Sequence, residues 1–423
     1  MGRVEQVSLG DAARSIPRLR DADRLTLLGV CPMSEELIRA PIELGMEHGF
    51  PVLFVASRNQ VSEDPGGGYV MGLDQETFLR RIAAVEEEAA ARLAAGRSYL
   101  RFVSVDHCGP WYKEREKPLG EREAMRSVKK TLTACVRAGY AGIHIDCSFA
   151  PPAHVEMDDA KRIRLTADLF EFCEAERKRL RKPPVSYEIG TEETAGASVT
   201  AEHFRQSVAA ILGELSERKL PRPAFVVGKT GAKIEMLENV GGFDYGAAAS
   251  LPAVARELGI GFKEHNADYL SDPILALHPE YGITAANVGP SFAAAQTGAL
   301  LRLAALEERK VRRGRSRLRE RMSAAVLARA PWHKWLRKAD HWSADELKSK
   351  PAELLAVTHV AGHYVYYEDE IRDATAKLFS NVKKRGLVED PAAVVMSAVR
   401  AAIMRYAGAF NLRGSTSKIL GSI

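Results

Sequence analysis

Histidine and acidic residues gather at the ends of short apolar segments of this chain. Imidazole nitrogens and carboxylate oxygens together suit Zn, Mn, Co or Fe, and a catalytic site uses about three such ligands while one position stays open to substrate. The residues that we predict as metal ligands are His107, Glu188 and His265. The whole group comprises Asp106, His107, His144, Asp146, Glu188, Glu192, Glu193, His265 and Asp268.

One pair in this group has the spacing of a β-strand. His144 and Asp146 alternate with Ile143 and Ile145. Alternate residues of a strand face the same side, so both polar side chains would point into one interior. Such a pair either orients a metal ligand or transfers protons, and a purely structural hydrogen bond is the third interpretation. We count Asp146 among the predicted catalytic residues.

Three further segments carry residues suited to a polyol or an anion. The glycine-rich loop 57–72 is longer than the roughly 2–6 residues usual for a strand-to-helix connection. GKTGAK at 228–233 offers a lysine, and NVGPSF at 287–292 offers backbone amides at a helix start. The structural alternatives are a solvated insertion, a turn and an N-cap. Predicted substrate or phosphate contacts are Arg58, Asn59, Gln60, His144, Lys229, Asn266, Gly289 and Ser291.

Eight apolar segments must position these residues, and each is followed by a segment with helical periodicity. This alternation predicts a parallel sheet, and eight repeats over residues 1–305 predict a closed (β/α)8 TIM barrel, whose active site lies at the carboxyl ends of its strands. No GxGxxG motif follows the first segment to favour an open dinucleotide-binding sheet. Residues 306–423 lack the strand pattern, so we predict a helical C-terminal extension. The predicted strands are 25–31, 51–57, 99–106, 141–146, 184–190, 224–228, 260–265 and 283–288.

Composition narrows the protein class. The net charge of +5, from 60 basic and 55 acidic residues, does not indicate a nucleic-acid partner. The five cysteines form no CxxC pair, which argues against a disulfide framework or a zinc ribbon. The N-terminus has no apolar core typical of a secretion signal, and no apolar run reaches the roughly 18 residues of a membrane helix. We therefore expect a cytoplasmic protein without a membrane partner.

Several motifs occur in an order that resembles a known family. They are SRNQV, GGGY, DHCGP, AGIHIDCS, YEIGTE, EHNADY and NVGPSF, between about residues 25 and 300. The chain resembles the accessory, non-catalytic subunits of class II tagatose-1,6-bisphosphate aldolase, of the GatZ/KbaZ type. The resemblance implies a barrel related to class II aldolases and to ketose 4-epimerases. It also implies that Asp106 moves protons and that His107 and His265 bind metal, and we add Glu192 as a second proton-transferring acid.

The sequence departs from the catalytic aldolases at strand six. Those enzymes place a ligating histidine there, whereas this chain reads VVGKTG. We therefore predict a Zn-, Mn- or similar metal-dependent enzyme that acts on a ketose or ketose phosphate by retro-aldol or enediolate chemistry, as an aldolase or a 4-epimerase. The alternative is an accessory subunit that stabilises a class II aldolase catalytic subunit. Self-association into a homo-oligomer stays open. GKTGAK lacks the Ser or Thr and the spacing of a P-loop, which argues against a kinase.

Overall fold

Eight parallel strands form a closed barrel in the computed structural model, which describes residues 4–93, 96–149, 158–190, 200–337 and 340–423. Each predicted strand contains an observed one, so the predicted TIM barrel is confirmed. The observed strands are shorter by up to three residues because their pairing ends where the loops begin. The strands are β1 (Leu27–Val30), β2 (Val52–Ser57), β3 (Tyr99–Asp106), β4 (Gly142–Ile145), β5 (Ser186–Ile189), β6 (Phe225–Gly228), β7 (Gly261–Glu264) and β8 (Ala285–Val288).

Each strand pairs with its neighbours in chain order, and β8 pairs with β1 to close the ring. A helix follows each strand and covers the outside of the sheet, which explains why the strands are apolar on both faces. These helices are α1 (Glu36–His48), α2 (Gln75–Arg92), α3 (Glu121–Ala138), α4 (Asp159–Arg179), α5 (Ala201–Glu217), α6 (Tyr245–Glu257), α7 (Asp272–Tyr281) and α8 (Pro290–Lys310).

The N-terminal segment covers the end of the barrel opposite the predicted site. Val4–Glu5 pairs with the start of β3, and a short helix, Leu9–Ser15, follows. Leu9 is buried, and the amide of Gly10 donates to the Ser186 hydroxyl at the start of β5 over 2.8 Å. The amino ends of the strands are therefore closed, and the carboxyl ends form the mouth.

Helices make up the C-terminal extension, as predicted. They are α9 (Leu318–Arg329), α10 (Ala344–Lys348), α11 (Pro351–Ala361), α12 (Asp369–Lys384), α13 (Pro391–Ala409) and α14 (Ser415–Leu420). A second hydrophobic core forms between α9, α11 and α12 and the later turns of α8. By contrast, Val399, Ile403 and Tyr406 of α13 belong to the barrel core. The extension thus packs on the barrel at both of its ends.

Helix α13 is long and apolar enough, by length and composition alone, to span a membrane. This finding differs from the sequence expectation, which rested on uninterrupted apolar runs. A core helix of a soluble protein meets the same criterion. Here Val399, Ile403 and Tyr406 are buried against the barrel, so packing explains the apolar character of this face of α13.

A small hairpin in the β6–α6 loop, which sequence periodicity did not predict, joins the extension to the mouth. Its strands, Ile234–Glu235 and Glu238–Asn239, are antiparallel. The Met236 amide donates to the Trp335 carbonyl over 2.7 Å, and the Asn239 side chain donates to the Asp268 carbonyl over 3.0 Å. The extension, the hairpin and the loop after β7 therefore form a chain of contacts at the mouth.

Candidate metal centre

Strand β3 ends at Asp106, and the next residue turns the chain sharply. His107 has a φ of +46°, a left-handed conformation that is strained for residues other than glycine and often occurs at functional sites. The Cys108 amide fixes the turn by donating to the His144 carbonyl over 2.8 Å. Only glycine fits at position 109, because a Cβ there would lie 1.4 Å from the Asp146 carbonyl oxygen. The turn brings Asp106 and His107 to the same cluster.

Four side chains from three strand ends converge at the mouth. Asp106, His107, His144 and His265 each offer one ligand atom, and these atoms all lie within 4.8 Å of one another. Nδ1 of His265 lies 3.3 Å from Nε2 of His107, and Nδ1 of His144 lies 3.1 Å from Oδ1 of Asp106. This metal-ligand cluster includes two of the three ligands predicted from sequence, His107 and His265.

Glu188, the third predicted ligand, lies beside this cluster with both carboxylate oxygens engaged. Oε1 lies 2.7 Å from Nε2 of His265, and Oε2 accepts from Nζ of Lys263 over 2.6 Å. A histidine whose one nitrogen bonds a carboxylate presents its other nitrogen in a fixed direction. In the structure Glu188 therefore orients His265, whose other nitrogen faces the cluster that also contains Asp106 and His144.

Asp146 holds the other side of the cluster. Its Oδ2 lies 2.7 Å from Nδ1 of His107 and accepts from the Tyr112 hydroxyl over 2.6 Å. The Tyr112 ring stacks on the His107 ring, with centroids 4.9 Å apart and planes inclined by 19°. Burial opposes ionisation, but the bond to His107 and the neighbouring imidazoles hold the pKa of Asp146 well below its usual range. Asp146 is thus a charged acceptor that fixes both rings.

The charges of these groups shift one another's pKa values. Burial alone would raise the pKa of Asp106, yet His107 and His265 hold it well below its usual range. Burial alone would lower the pKa of His107, but Asp106 and Asp146 raise it to about 9. The pKa of Glu188 is lowered to about 2, because burial, which would raise it, is outweighed by the charge of Lys263 and by the neighbouring histidines. For His265 burial dominates, and its pKa is lowered.

Two observations test whether a divalent cation fits this cluster. The raised pKa of His107 shows that a proton on this ring compensates part of the negative charge of Asp106 and Asp146, and a metal ion that displaces the proton would take over this role. Once the imidazoles are neutral, the carboxylates of Asp106, Asp146 and Glu188 exceed the ammonium of Lys263 by two charges, which a divalent cation balances. Nε2 of His144 is buried and has no hydrogen-bond partner among the described residues, so a lone pair on this atom would be left for a cation. The donor set therefore fits a divalent metal ion.

Asn287 is a site residue that the sequence analysis did not select. It lies on β8 in register with Gly29 of β1, and a Cβ at Gly29 would clash with its side-chain oxygen. Continuing the pairing of β7 with β8 by one residue places Asn287 level with His265. Only 5% of Asn287 is exposed, and neither amide atom has a hydrogen-bond partner within the described ranges. Buried polar groups are normally satisfied, so this amide is a candidate for substrate hydroxyls.

The loop after β2 does not bring all of its predicted contacts to the site. Arg58 is 1% exposed and forms a double ion pair with Glu116, at 2.6 and 2.9 Å. Gln60 is buried and accepts from the Ser57 amide. Asn59 donates to the Tyr112 carbonyl over 3.1 Å. Arg58 and Gln60 thus hold the loops in shape, and only Asn59 remains near the mouth surface.

The remaining predicted contacts lie after β6, β7 and β8. Lys229 and Asn266 line a small cavity beside His265. The amides of Gly289 and Ser291, at the start of α8, both donate to the Asp268 carboxylate. Glu192, the predicted second acid, and Glu193 lie outside the described residues.

Comparisons with known proteins agree with this architecture. A family model described as D-tagatose-1,6-bisphosphate aldolase subunit GatZ/KbaZ-like matches residues 14–406. The D-tagatose 6-phosphate 4-epimerase of Agrobacterium fabrum is 28% identical over 66% of this chain and 66% of its own. The D-tagatose-1,6-bisphosphate aldolase subunit GatZ of Salmonella newport is 23% identical over 87% of this chain and 86% of its own. The crystal structure of a probable tagatose 6 phosphate kinase from Sinorhizobium meliloti shares the fold, with a TM-score of 0.73 and 23% identity, over 91% of this chain and 100% of that one.

Proposed function

This chain belongs to the D-tagatose-1,6-bisphosphate aldolase subunit GatZ/KbaZ-like family, and we propose that it is a divalent-metal-dependent ketose 4-epimerase. The observation that carries the proposal is the cluster of Asp106, His107, His144 and His265, whose ligand atoms all lie within 4.8 Å of one another. A scaffold subunit has no use for so many buried titratable groups at a barrel mouth. The 4-epimerase activity of the Agrobacterium relative supports the same choice.

Epimerisation at C4 needs no net oxidation. Removal of the C4 hydroxyl proton breaks the bond between C3 and C4 and leaves an aldehyde and an enediolate. The aldehyde rotates to present its other face, the carbon–carbon bond re-forms, and the proton returns to the oxygen. A metal ion held by the cluster supplies Lewis-acid stabilisation of the negative charge.

The residues of the chain perform the remaining tasks. Three imidazoles suffice as protein ligands of a catalytic metal ion, and the carboxylate of Asp106 beside them accepts the C4 hydroxyl proton and gives it back. Asp146 fixes the His107 ring and the Tyr112 hydroxyl at the wall of the site. Asn287 binds a substrate hydroxyl through its amide, which has no partner in the part of the chain that the structure describes. Each group is held by a second contact or by burial, which is the preorganisation that catalysis requires.

The accessory role is the second candidate function. The GatZ subunit of the Salmonella aldolase aligns with 87% of this chain, whereas the epimerase aligns with 66%. In that role the chain would bind a class II aldolase catalytic subunit and stabilise it. The absence of a histidine from β6, residues 225–228, counts against a plain bisphosphate aldolase activity of this chain alone. We place either activity in the cytoplasm.

One experiment separates the two functions. The full chain is purified alone, its metal content is measured by mass spectrometry, and unphosphorylated and 6-phosphorylated ketohexoses are incubated with it in Mn²⁺ or Zn²⁺ and followed by NMR. We expect about one metal ion per site and inversion at C4. His107→Ala should lose both, whereas His203→Ala, an exposed histidine of α5, should lose neither. A chain that binds no metal and turns over no ketose, but raises the activity of an aldolase subunit, would establish the accessory role instead.

A further inference from the structure

Strand β7 ends with two neighbouring residues that face opposite sides of the barrel wall. His265 points into the mouth and belongs to the metal-ligand cluster. Successive side chains of a strand alternate between its two faces, so Glu264 points outward instead. There it contacts His278 of helix α7, and both side chains are fully buried. The end of β7 therefore connects the metal-ligand cluster with a buried acid–histidine pair behind the barrel wall.

The histidine fixes the direction of the Glu264 carboxylate. Nδ1 of His278 donates to the Ile274 carbonyl over 3.1 Å, so Nε2 faces Glu264 and contacts Oε2. The other oxygen, Oε1, accepts from the hydroxyl of Thr230, the second residue after β6. Thr230 is buried as well. Leaving a buried carboxylate or hydroxyl without its partner is unfavourable, so this hydrogen bond holds the threonine firmly.

The same acid–histidine pair also holds the far end of the β6–α6 loop. The carbonyl of Thr230 accepts from the amide of Asp244, where the loop ends, over 2.7 Å. Phe243, the residue before, stacks its ring on that of His278, with centroids 6.0 Å apart. Both ends of the loop are therefore tied to Glu264 and His278, and the loop has a fixed base beside the mouth.

Lys229 begins this loop, directly before Thr230. Its side chain lines the small cavity that His265 also lines. On the other side of Lys229, Gly228 is paired in register with Glu264 of β7. The backbone of Lys229 is therefore fixed by the strand before it and by the held threonine after it. An ammonium so placed can donate to an oxygen of a substrate bound at the metal-ligand cluster.

We infer that Thr230 is a positioning residue, which through its bond to Glu264 sets the place of Lys229, the donor to an oxygen of the bound ketose. The inference rests on the proposed 4-epimerase function and adds a substrate-binding element to its site. Thr230 itself does not touch the substrate. A lysine whose backbone is fixed loses less conformational freedom when the ketose binds, so the contribution falls on KM rather than on kcat.

A double-mutant cycle tests whether Thr230 acts through Lys229. The metal-loaded full chain, Thr230→Val, Lys229→Met and the double variant are given D-fructose or D-fructose 6-phosphate, whichever the wild type converts, and the C4 epimer is followed by NMR. We expect each single variant to raise KM about tenfold, with kcat and metal content within about twofold of the wild type. The double variant should be no worse than Lys229→Met, because residues that act as one unit are not additive. Thr230→Ser, which keeps the hydroxyl, should restore the wild-type KM.

Thr26→Val is the matched control. The hydroxyl of Thr26 is also buried and donates to the Ile283 carbonyl over 2.7 Å, but at the amino end of the barrel, away from the mouth. This variant loses a buried hydrogen bond of the same kind, so it should lose stability and keep the wild-type KM. A threonine at position 230 that served stability alone would behave in the same way.

The ammonium of Lys229 gives a readout that needs no turnover. Reductive methylation with isotope-labelled formaldehyde gives each lysine its own NMR signal, and the signal of Lys229 is the one that Lys229→Arg lacks. We expect the chemical shift of this signal to move in Thr230→Val and to return in Thr230→Ser, because the surroundings of the amine follow the position of the loop.

The outcomes separate the inference from the proposed function. If Thr230→Val keeps the wild-type KM, or if its loss adds to that of Lys229→Met in the double variant, the inference is wrong and the epimerase function stands. If the wild type converts neither sugar, the epimerase function is wrong, and an unmoved Lys229 signal in Thr230→Val then overturns the positioning role as well. Thr230→Ala takes the place of Thr230→Val in every comparison if the valine variant does not fold.

Discussion

The ion pair between Lys263 and Glu188 allows the most detailed prediction. Both side chains are almost fully buried in the barrel, 2.6 Å apart, and Glu188 also contacts His265. Lys263→Met removes the ammonium and leaves a buried carboxylate uncompensated. Replacing both residues, as Lys263→Met with Glu188→Leu, removes the charge problem but also removes the partner of His265.

Stability and metal affinity should therefore respond differently. Losing one member of a buried pair costs about 3–5 kcal/mol, whereas replacing both by apolar residues is often neutral or stabilising. The free energy of unfolding of a natural protein is only about 5–15 kcal/mol, so the single variant should be severely weakened. Removing the carboxylate behind a metal-binding histidine typically lowers metal affinity about 10–100-fold. The double variant should recover stability without recovering affinity.

The assays are urea unfolding of the metal-free chain and competition with a chelator for Zn²⁺. Lys161→Met, which breaks an ion pair between α4 and α3 at the surface, is the control and should cost at most about 1 kcal/mol. The reasoning fails if Lys263→Met unfolds like the control, or if the double variant binds Zn²⁺ as tightly as the wild type.

Three further predictions concern single residues. Asn287→Ala should leave the urea midpoint nearly unchanged, since its amide has no partner to lose among the described residues, while kcat/KM falls about 100-fold; a large loss of stability would contradict a role in substrate binding. Arg58→Met should destabilise the chain by about 3–5 kcal/mol through the unpaired Glu116 yet leave Zn²⁺ affinity intact, and a selective loss of affinity would return Arg58 to the site. Burial raises the pKa of Asp268 from 3.8 to about 6 in the folded chain, so ionisation of this carboxyl destabilises the fold. The destabilisation is absent below pH 3.8, grows as the pH rises and is complete above pH 6. Unfolding between pH 4 and 7.5 should therefore show Asp268→Asn gaining on the wild type as the pH rises, and a constant difference would refute this.

Much of the barrel and its cluster followed from the sequence because local patterns determine them. Strand and helix periodicities alternate along the chain, and the carboxyl ends of parallel strands meet at one edge. That rule alone brings His107 and His265 together, although 158 residues separate them. The alternation of His144 and Asp146 with isoleucines likewise anticipated two side chains of the site.

What the sequence could not supply is the partner of each charged residue. Arg58 was predicted to bind an anion, but in the structure it forms a bidentate ion pair with Glu116, 58 residues away. Glu188 stays a predicted metal ligand, but its ion pair with Lys263, 75 residues away, could not be foreseen. Asn287 gave no signal because its proposed role depends on the absence of a partner among the described residues. Pairings of this kind arise from three-dimensional packing, which no short spacing encodes.

The hairpin of the β6–α6 loop connects the C-terminal extension to the mouth of the barrel. Trp335 of the extension holds Met236, and Asn239 of the same hairpin holds the backbone of Asp268. A truncation before Trp335 would remove the carbonyl that Met236 bonds, and would therefore loosen the hairpin whose Asn239 holds the backbone of Asp268 at the mouth. Substitutions in the extension could alter which sugars are accepted without touching the metal ligands, and directed evolution of specificity should include this distant segment.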